Sequence, residues 1–287
     1  MGSFVIDFQH AQSLNTQSII KYILAGLCLF SLALVPNELA ARNSKSYGNK
    51  SAGRSGKSGY KKTRHGAAGK YSPGTASFAE NASWSAQVLK EAEIAYNQLD
   101  LAAKGLTKKA FLYGWKGYRL LQKKGYLQRS DVLSICDFSQ SSRRKRLYII
   151  NVEDMSLLVN TYVAHGRNSG GEFAQKFSNK PQSRQSSLGF YVTRETYIGE
   201  HGLSLRIDGI EKGFNDRANA RNIVIHGSEY LGNDFLENNP FNGRSYGCPA
   251  VPDNESQEII ETIKNGSCLF IYHPTSKYLS KSRIINA

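Results

Sequence analysis

The sequence has few cysteines and none of the arrangements that usually hold a metal. Its four cysteines form no C-x-x-C pair, its six histidines are scattered, and no H-E-x-x-H motif occurs. Zinc sites built from closely spaced thiolates and imidazoles are therefore not predicted. No glycine-rich phosphate loop follows a strand and opens a helix, and no G-x-S-x-G elbow is present, so we predict neither a metal nor another cofactor.

The chain also lacks an apolar run of the length that a membrane span needs. Its longest run, from Tyr22 to Val35, is 14 residues long, whereas a spanning helix needs about 20. A run of this length after Lys21 suits the apolar region of a secretory signal peptide with cleavage near residue 40. We predict that residues 1–41 are a signal peptide, or an uncleaved N-terminal anchor, and that the rest is exported to the periplasm or cell envelope.

Acidic residues are missing from one long segment. Residues 42–70 hold nine Lys or Arg and no Asp or Glu, so most of the net charge of +14 lies there and the remainder is mildly basic. Residues 42–78 are rich in Gly, Ser and Lys, which predicts a disordered linker. An exported basic segment is expected to meet anionic wall polymers or lipid head groups rather than nucleic acid.

The remaining residues, 79–287, have the hydrophobic pattern of one folded domain. Apolar residues at helical spacing predict a first helix that begins near residue 79 and ends before Gly105. A second helix is predicted from Thr107 to Lys124, and another from Asn254 to Lys264. Between these helices lie short β-type runs separated by Asn, Gly, Ser and Asp: VLSICDF, RLYIINV, SLLVNTYVAHG, LGFYVT, LSLRIDG, NIVIHG and SCLFIYH.

These runs predict an α+β fold. Short strands with turn residues between them are typical of a mostly antiparallel β core, and the N-terminal helices are expected to pack against it.

One cysteine stands apart from the others. Cys136 and Cys268 lie inside apolar runs and are predicted to be packed, either paired with each other or both free. Cys248 follows Gly247 at the end of a polar loop, which predicts an exposed thiol. A reactive thiol needs a base or a cation nearby, and His226, at the end of the NIVI strand, is the candidate base.

The segment around these residues resembles a known family. His226-Gly227 precedes Ser245-Tyr246-Gly247-Cys248 at the distance found in the murein L,D-transpeptidase catalytic domain family, whose motif is His-Gly followed by Ser/Thr-His-Gly-Cys. The resemblance extends from about Val132 to His273 and includes RNIVIHGSEYLGNDF and GRSYGCPAVP. The sequence departs from the common motif at Tyr246, where the family usually has His. Tyr cannot act as a base at neutral pH.

The resemblance implies acyl transfer on peptidoglycan stem peptides. Cys248 would attack the carbonyl before a terminal D-Ala, with His226 as the base, and an amine of a second stem peptide would resolve the thioester. The backbone N–H groups of Gly247 and Cys248, with Tyr246, would stabilise the oxyanion.

Two more residues of the loop are assigned to substrate binding. Arg244 is expected either to bind a substrate carboxylate or to be a solvated loop residue. The resemblance implies that Ser245 contacts the substrate or orients His226 or the cysteine loop. His201 and His165 are interpreted as structural, with His201 as the replacement base.

Three functions remain open at this point. The first is a transpeptidase, the second is an L,D-carboxypeptidase that uses water as the acceptor at the same site, and the third is a wall-binding module without catalytic activity.

Overall fold

The computed structural model describes residues 75–287, with side chains from residue 85 onward. The predicted signal peptide or anchor, and the predicted linker up to residue 74, lie outside the described residues. The first helix begins at Thr75, four residues before the predicted start of the domain. None of the helices in the described range is both long and apolar enough to cross a bilayer.

Five α-helices and eight strands make up this part of the chain. The helices are α1 (Thr75–Gln98), α2 (Lys108–Lys123), α3 (Asn233–Asn238), α4 (Asp253–Ile263) and α5 (Ser276–Lys281). The strands are β1 (Val132–Asp137), β2 (Leu147–Asn151), β3 (Ser156–Thr161), β4 (Gly189–Gly199), β5 (Gly202–Gly209), β6 (Val224–Ser228), β7 (Ala250–Pro252) and β8 (Cys268–Tyr272). The three predicted helices are confirmed. The first ends at Gln98, well before the predicted limit at Gly105, and the other two differ from their predicted bounds by one residue at each end.

All eight strands form one sheet in the order β3-β2-β1-β8-β4-β5-β6-β7. Only the β1–β8 and β6–β7 pairs are parallel, and the other neighbours are antiparallel. Helix α2 packs on β1 and β8, and α1 packs on α2. The α+β class with a mostly antiparallel core and N-terminal helices against it is therefore confirmed.

Two glycines let α2 lie directly on the sheet. A Cβ on Gly117 would stand 2.0 Å from Cζ of Phe190, and one on Gly114 would stand 2.9 Å from Cδ1 of Ile135. Gly inside a helix costs about 1 kcal/mol relative to Ala. The close contact of the helix with buried apolar side chains of the sheet offsets this cost.

Cys136 and Cys268 are both buried and both free. In the parallel β1–β8 pair Cys268 lies opposite Leu133, three residues from Cys136. Because side chains alternate between the faces of a sheet, the two thiols lie on opposite faces and cannot form a disulfide. Their predicted burial is confirmed, and of the two alternatives the unpaired one holds.

The sequence did not predict four features, of which helix α3 is one and another shapes the cavity described below. Strand β4 was expected to end at Thr193 but continues to Gly199, past a register shift between Thr193 and Thr196. It turns into β5 through Glu200 and His201 alone. Strand β7 and the C-terminal helix α5 were also not predicted.

Candidate active site

Cys248 and His226 line one cavity of about 680 Å³ at the β5–β6–β7 edge of the sheet. The β4–β5 turn, the turn before β6 and the loop before β7 complete its wall. Its other polar and charged lining side chains are Arg167, Tyr197, Glu200, His201, Ser204, Arg221, Asn222, Tyr230, Arg244, Ser245 and Tyr246. The two residues that the sequence predicted as nucleophile and base therefore share a cavity.

Strand pairing positions the thiol. Strands β6 and β7 run parallel with His226 opposite Ala250, so Cys248, two residues earlier, lies beside Val224. The backbone N–H of Val224 accordingly donates to Sγ of Cys248 at 3.5 Å. Gly247 precedes the cysteine with φ +127°, a conformation that side-chain-bearing residues rarely adopt.

The thiol of Cys248 is half-buried, so the expectation of an exposed thiol is wrong. The turn before β6 closes over it, and the sulfur lies 3.6 Å from the carbonyl oxygen of Asn222, to which it donates. Burial raises the pKa of the Cys248 thiol, while the Val224 N–H and the Arg221 guanidinium act in the opposite direction. The resting group is therefore a thiol that needs a base to remove its proton.

His226 is buried on β6 and has a defined tautomer. Its Nδ1 lies 2.8 Å from the carbonyl oxygen of Gly227. Because a carbonyl only accepts, Nδ1 carries the proton and Nε2 keeps a free lone pair. Burial lowers the pKa of His226, the Gly227 carbonyl opposes that shift, and His201 lowers it further. The imidazole is therefore neutral at neutral pH and able to accept a proton.

Ser245 braces the turn that carries the cysteine. Its hydroxyl donates to the carbonyl oxygen of Cys248 at 2.6 Å and accepts from the N–H of Gly247 at 3.0 Å. Both functions of the hydroxyl are thus used inside the loop, which matches the orienting role considered for Ser245 rather than substrate contact. The Gly247 N–H, which was expected to stabilise an oxyanion, instead donates its hydrogen bond to this hydroxyl.

Two other N–H groups of the loop remain free. In the described range the backbone N–H groups of Tyr246 and Cys248 donate to no protein acceptor. The ring of Tyr246 is 65% exposed. The guanidinium carbon of Arg184 lies 4.7 Å from the ring centroid and that of Arg167 lies 5.8 Å away. The Tyr that replaces the motif's His is therefore exposed at the cavity rim with two cations beside its ring.

Arg244 lines the cavity and is exposed. Its Nη1 donates to the carbonyl oxygen of Gly170 at 2.9 Å, which holds the side chain along the rim. The guanidinium keeps other N–H groups for a ligand. The binding of a substrate carboxylate by Arg244 stays a prediction.

Arg221 was not predicted from the sequence. Its Nη atoms donate to the carbonyl oxygens of Ser178 and Gln185 and to the hydroxyls of Ser183 and Ser187. This side chain thereby ties the 178–187 loop to the wall of the cavity beside Cys248. In RANARN, the arginine shows no spacing or motif that would have distinguished it.

His201 and His165 occupy different environments. His165 is buried, and its Nδ1 lies 2.8 Å from the guanidinium of Arg146. Burial, and then the charge of Arg146, lowers its pKa to about 3, which fits the structural role predicted for it. His201 instead lies exposed on the β4–β5 turn, with its ring stacked on His226 at a centroid distance of 4.3 Å and an angle of 19°.

A family model described as the L,D-transpeptidase catalytic domain matches residues 102–272, which is more than half of the chain. The chain therefore belongs to the L,D-transpeptidase catalytic domain family. The match includes every element from α2 to β8 and the whole cavity described above. No curated protein matches the chain in sequence.

Solved structures with related folds share little sequence with this chain. An L,D-transpeptidase from Mycobacterium smegmatis is 10% identical over 50% of this chain and 59% of its own, with a TM-score of 0.32. An L,D-transpeptidase from Xylanimonas cellulosilytica is 12% identical over 65% and 93%, with a TM-score of 0.29. The helical cell shape determining protein Pgp2 from Campylobacter jejuni is 12% identical over 56% and 54%, with a TM-score of 0.33.

The chain thus spans about three fifths of the first of these structures.

Proposed function

We propose that the chain is a peptidoglycan L,D-transpeptidase that transfers an acyl group from a tetrapeptide stem through a thioester on Cys248. The observation that supports this most directly is the tautomer of His226. A neutral imidazole with a free Nε2 lines the same cavity as a thiol that burial keeps protonated. This pairing is what general-base activation of a cysteine requires.

Acylation begins with proton transfer from Sγ of Cys248 to Nε2 of His226. The sulfur attacks the carbonyl carbon between the diamino acid at the third stem position and the terminal D-Ala. The Gly227 carbonyl, hydrogen-bonded to Nδ1–H, stabilises the imidazolium that forms. His226 then protonates the leaving amine, and D-Ala departs.

The developing oxyanion needs donors that are not already occupied. The free N–H groups of Tyr246 and Cys248 fill that role, whereas the Gly247 N–H holds the turn through Ser245. The cationic rim formed by Arg244, Arg167 and Arg184 is suited to the terminal carboxylate of the donor.

An L,D-carboxypeptidase is the second candidate, since the same thioester is hydrolysed when water is the acceptor. A wall-binding module without catalysis is the third candidate. The predicted export to the cell envelope and the weak attraction of the basic segment 42–70 to anionic surfaces complete the proposal.

Incubation with a purified disaccharide tetrapeptide, followed by mass spectrometry, tests these candidates. A cross-linked dimer with release of D-Ala supports the transpeptidase, and tripeptide with D-Ala alone supports the carboxypeptidase. Cys248→Ala should lose both products, and Cys268→Ala serves as the control because that thiol is buried and does not line the cavity. If the substrate stays unreacted while iodoacetamide alkylates Cys248, both enzymatic functions are excluded and the wall-binding module is the remaining candidate.

A further inference from the structure

The cavity around Cys248 is electrically asymmetric. Three of its lining residues, Arg167, Arg221 and Arg244, are permanent cations, and Arg184 covers Tyr246 at the rim. Among the described residues that line it, Glu200 is the sole carboxylate. That carboxylate is exposed and takes part in no ion pair within the part of the chain that the structure describes. A carboxylate left unpaired beside several arginines is available for a cationic ligand.

Glu200 and His201 form the whole of the β4–β5 turn, between Gly199 and Gly202. On its β4 side the outer part of this hairpin has no neighbouring strand, because β8 pairs with β4 only at residues 189–192, while on its β5 side β6 pairs with residues 204–206. Ile198 near the tip is 78% exposed. The tip of the hairpin therefore extends beyond its neighbouring strands and places Glu200 and His201 at one side of the cavity.

The two histidines of the cavity differ in access to solvent. His226 is 3% exposed, whereas His201 is exposed and covers it in the stack at 4.3 Å. Two imidazolium ions at this distance would repel each other, so a charge on one ring opposes a charge on the other. Because His201 is exposed, it can pass a proton directly to solvent. His226 is shielded from solvent, so a proton that it accepts stays inside the site.

Aminolysis of a thioester by an amine that arrives as an ammonium ion requires two proton transfers, one to solvent and one inside the site. An acceptor R–NH₃⁺ must lose one proton before its nitrogen has a lone pair. The nitrogen then attacks the carbonyl carbon, the C–N bond forms, and the C–S bond breaks with its electrons going to Sγ. The second nitrogen proton must reach that sulfur. The products are an amide, the thiol and one proton in solution.

We propose that Glu200 and His201 form the subsite for the acceptor amine: Glu200 binds a primary alkylammonium, and His201 removes its first proton. His226 carries the second proton to Cys248. This inference rests on the proposed function, because it requires a thioester on Cys248. It assigns the donor to the arginine-lined side of the cavity and the acceptor to the hairpin side.

The test separates acylation from aminolysis. Wild type, Glu200→Gln and His201→Asn are each incubated with disaccharide tetrapeptide, and intact mass reports the thioester. Each acyl-enzyme is then mixed with Nα-acetyl-lysine, an alkylammonium, or with hydroxylamine, which is uncharged at neutral pH. Glu195→Gln is the matched control, because Glu195 lies on the same hairpin, pairs with Arg206 at 3.3 Å and does not line the cavity.

Both variants should lose about tenfold or more in the rate with Nα-acetyl-lysine, measured on acyl-enzyme that has already formed, so that any change in the acylation rate does not enter the comparison. Their rates with hydroxylamine should stay within about twofold of wild type, since that amine needs neither attraction nor deprotonation. The loss in His201→Asn should diminish as the pH rises and the free amine becomes abundant, whereas a merely structural loss would not.

Unchanged rates with Nα-acetyl-lysine in both variants would overturn the acceptor subsite while leaving the transpeptidase intact. Equal losses with both amines would also overturn it, because His201 would then act only by holding His226. Absence of a thioester in wild type would instead overturn the proposed function, and the acceptor subsite with it.

Discussion

The hydroxyl of Ser245 holds both ends of the turn that presents the thiol: it donates to the Cys248 carbonyl and accepts from the Gly247 N–H. The turn has no regular secondary structure of its own, and Gly247 is in a conformation open mainly to glycine. The position of the sulfur and the direction of the free N–H groups of Tyr246 and Cys248 therefore depend on one side chain.

Replacing this hydroxyl should affect both stability and acylation. Ser245→Ala leaves the buried Gly247 N–H without a partner, which should lower the free energy of unfolding by about 1–3 kcal/mol. Thioester formation should fall further than stability does, because the oxyanion donors lose their alignment. Urea unfolding and the rate of acyl-enzyme formation measure the two effects. Ser245→Thr, which keeps the hydroxyl, is the control, and a Ser245→Ala variant that acylates like wild type would contradict the bracing role.

Arg221 should control the ionisation of the thiol. Burial raises the pKa of Cys248, and the Val224 N–H and the Arg221 cation reduce that rise. Arg221→Gln removes the cation, so the pKa should move higher and the pH profile of iodoacetamide labelling should shift to higher pH. Arg221→Lys keeps the charge and should shift less, even though it loses several hydrogen bonds to the 178–187 loop.

The control for this experiment is Arg217→Gln, since Arg217 is exposed one turn earlier in the same segment. Circular dichroism of each variant ensures that the profiles come from folded protein. Identical labelling profiles for wild type and a folded Arg221→Gln would show that the guanidinium does not act on the sulfur.

The elements that could be predicted from the sequence are those whose apolar residues repeat on one buried face. In α4 the buried residues Ile259, Ile260 and Ile263 follow the helical repeat, and the predicted and observed bounds differ by one residue. The outer half of β4 has no such signal, because both of its faces meet solvent and its exposed Ile198 and polar neighbours do not alternate. The prediction consequently missed the hairpin that brings His201 over His226.

The residues of the candidate site also differ in whether the sequence alone could predict them. That Cys248 and His226 share a cavity could be predicted, because one strand, one loop and a family motif specify their positions. Arg221 could not, because its contacts join segments 34 to 43 residues apart in sequence. The burial of Cys248 was missed for a related reason: the turn before β6 covers it, and nothing in NGRSYG reports that turn.

Gly117 should not tolerate a methyl group. Ala is the better helix former by about 1 kcal/mol, but its Cβ would overlap the ring of Phe190, which stacks on Phe270 with centroids 4.1 Å apart. Gly117→Ala should therefore lower the free energy of unfolding by about 1–3 kcal/mol. Gly114→Ala should cost less, because its Cβ meets the movable end of Ile135. Urea midpoints compared at equal m-values measure this, and a stabilised Gly117→Ala would refute the close packing.

Glu211 should make the fold less stable as the pH rises. This carboxylate is buried and accepts from the hydroxyls of Tyr278 and Ser282 and from the N–H of Phe190. Burial raises its pKa, and these three hydrogen bonds only partly oppose the shift. In the unfolded chain the pKa of a Glu carboxyl is about 4.3.

The sign of the effect follows from counting protons. Between the unfolded and the raised folded pKa of Glu211, the folded state holds more protons, so its stability falls as the pH increases through that window. Glu211→Gln keeps the shape and has no charge to bury, and hydroxyls can reverse direction to accept from its amide. The stability of this variant, from urea unfolding between about pH 4 and 7, should therefore depend less on pH than that of wild type. Glu229→Gln, at an exposed position, should keep the wild-type slope, and a Glu211→Gln slope equal to that of wild type would show that Glu211 does not contribute to it.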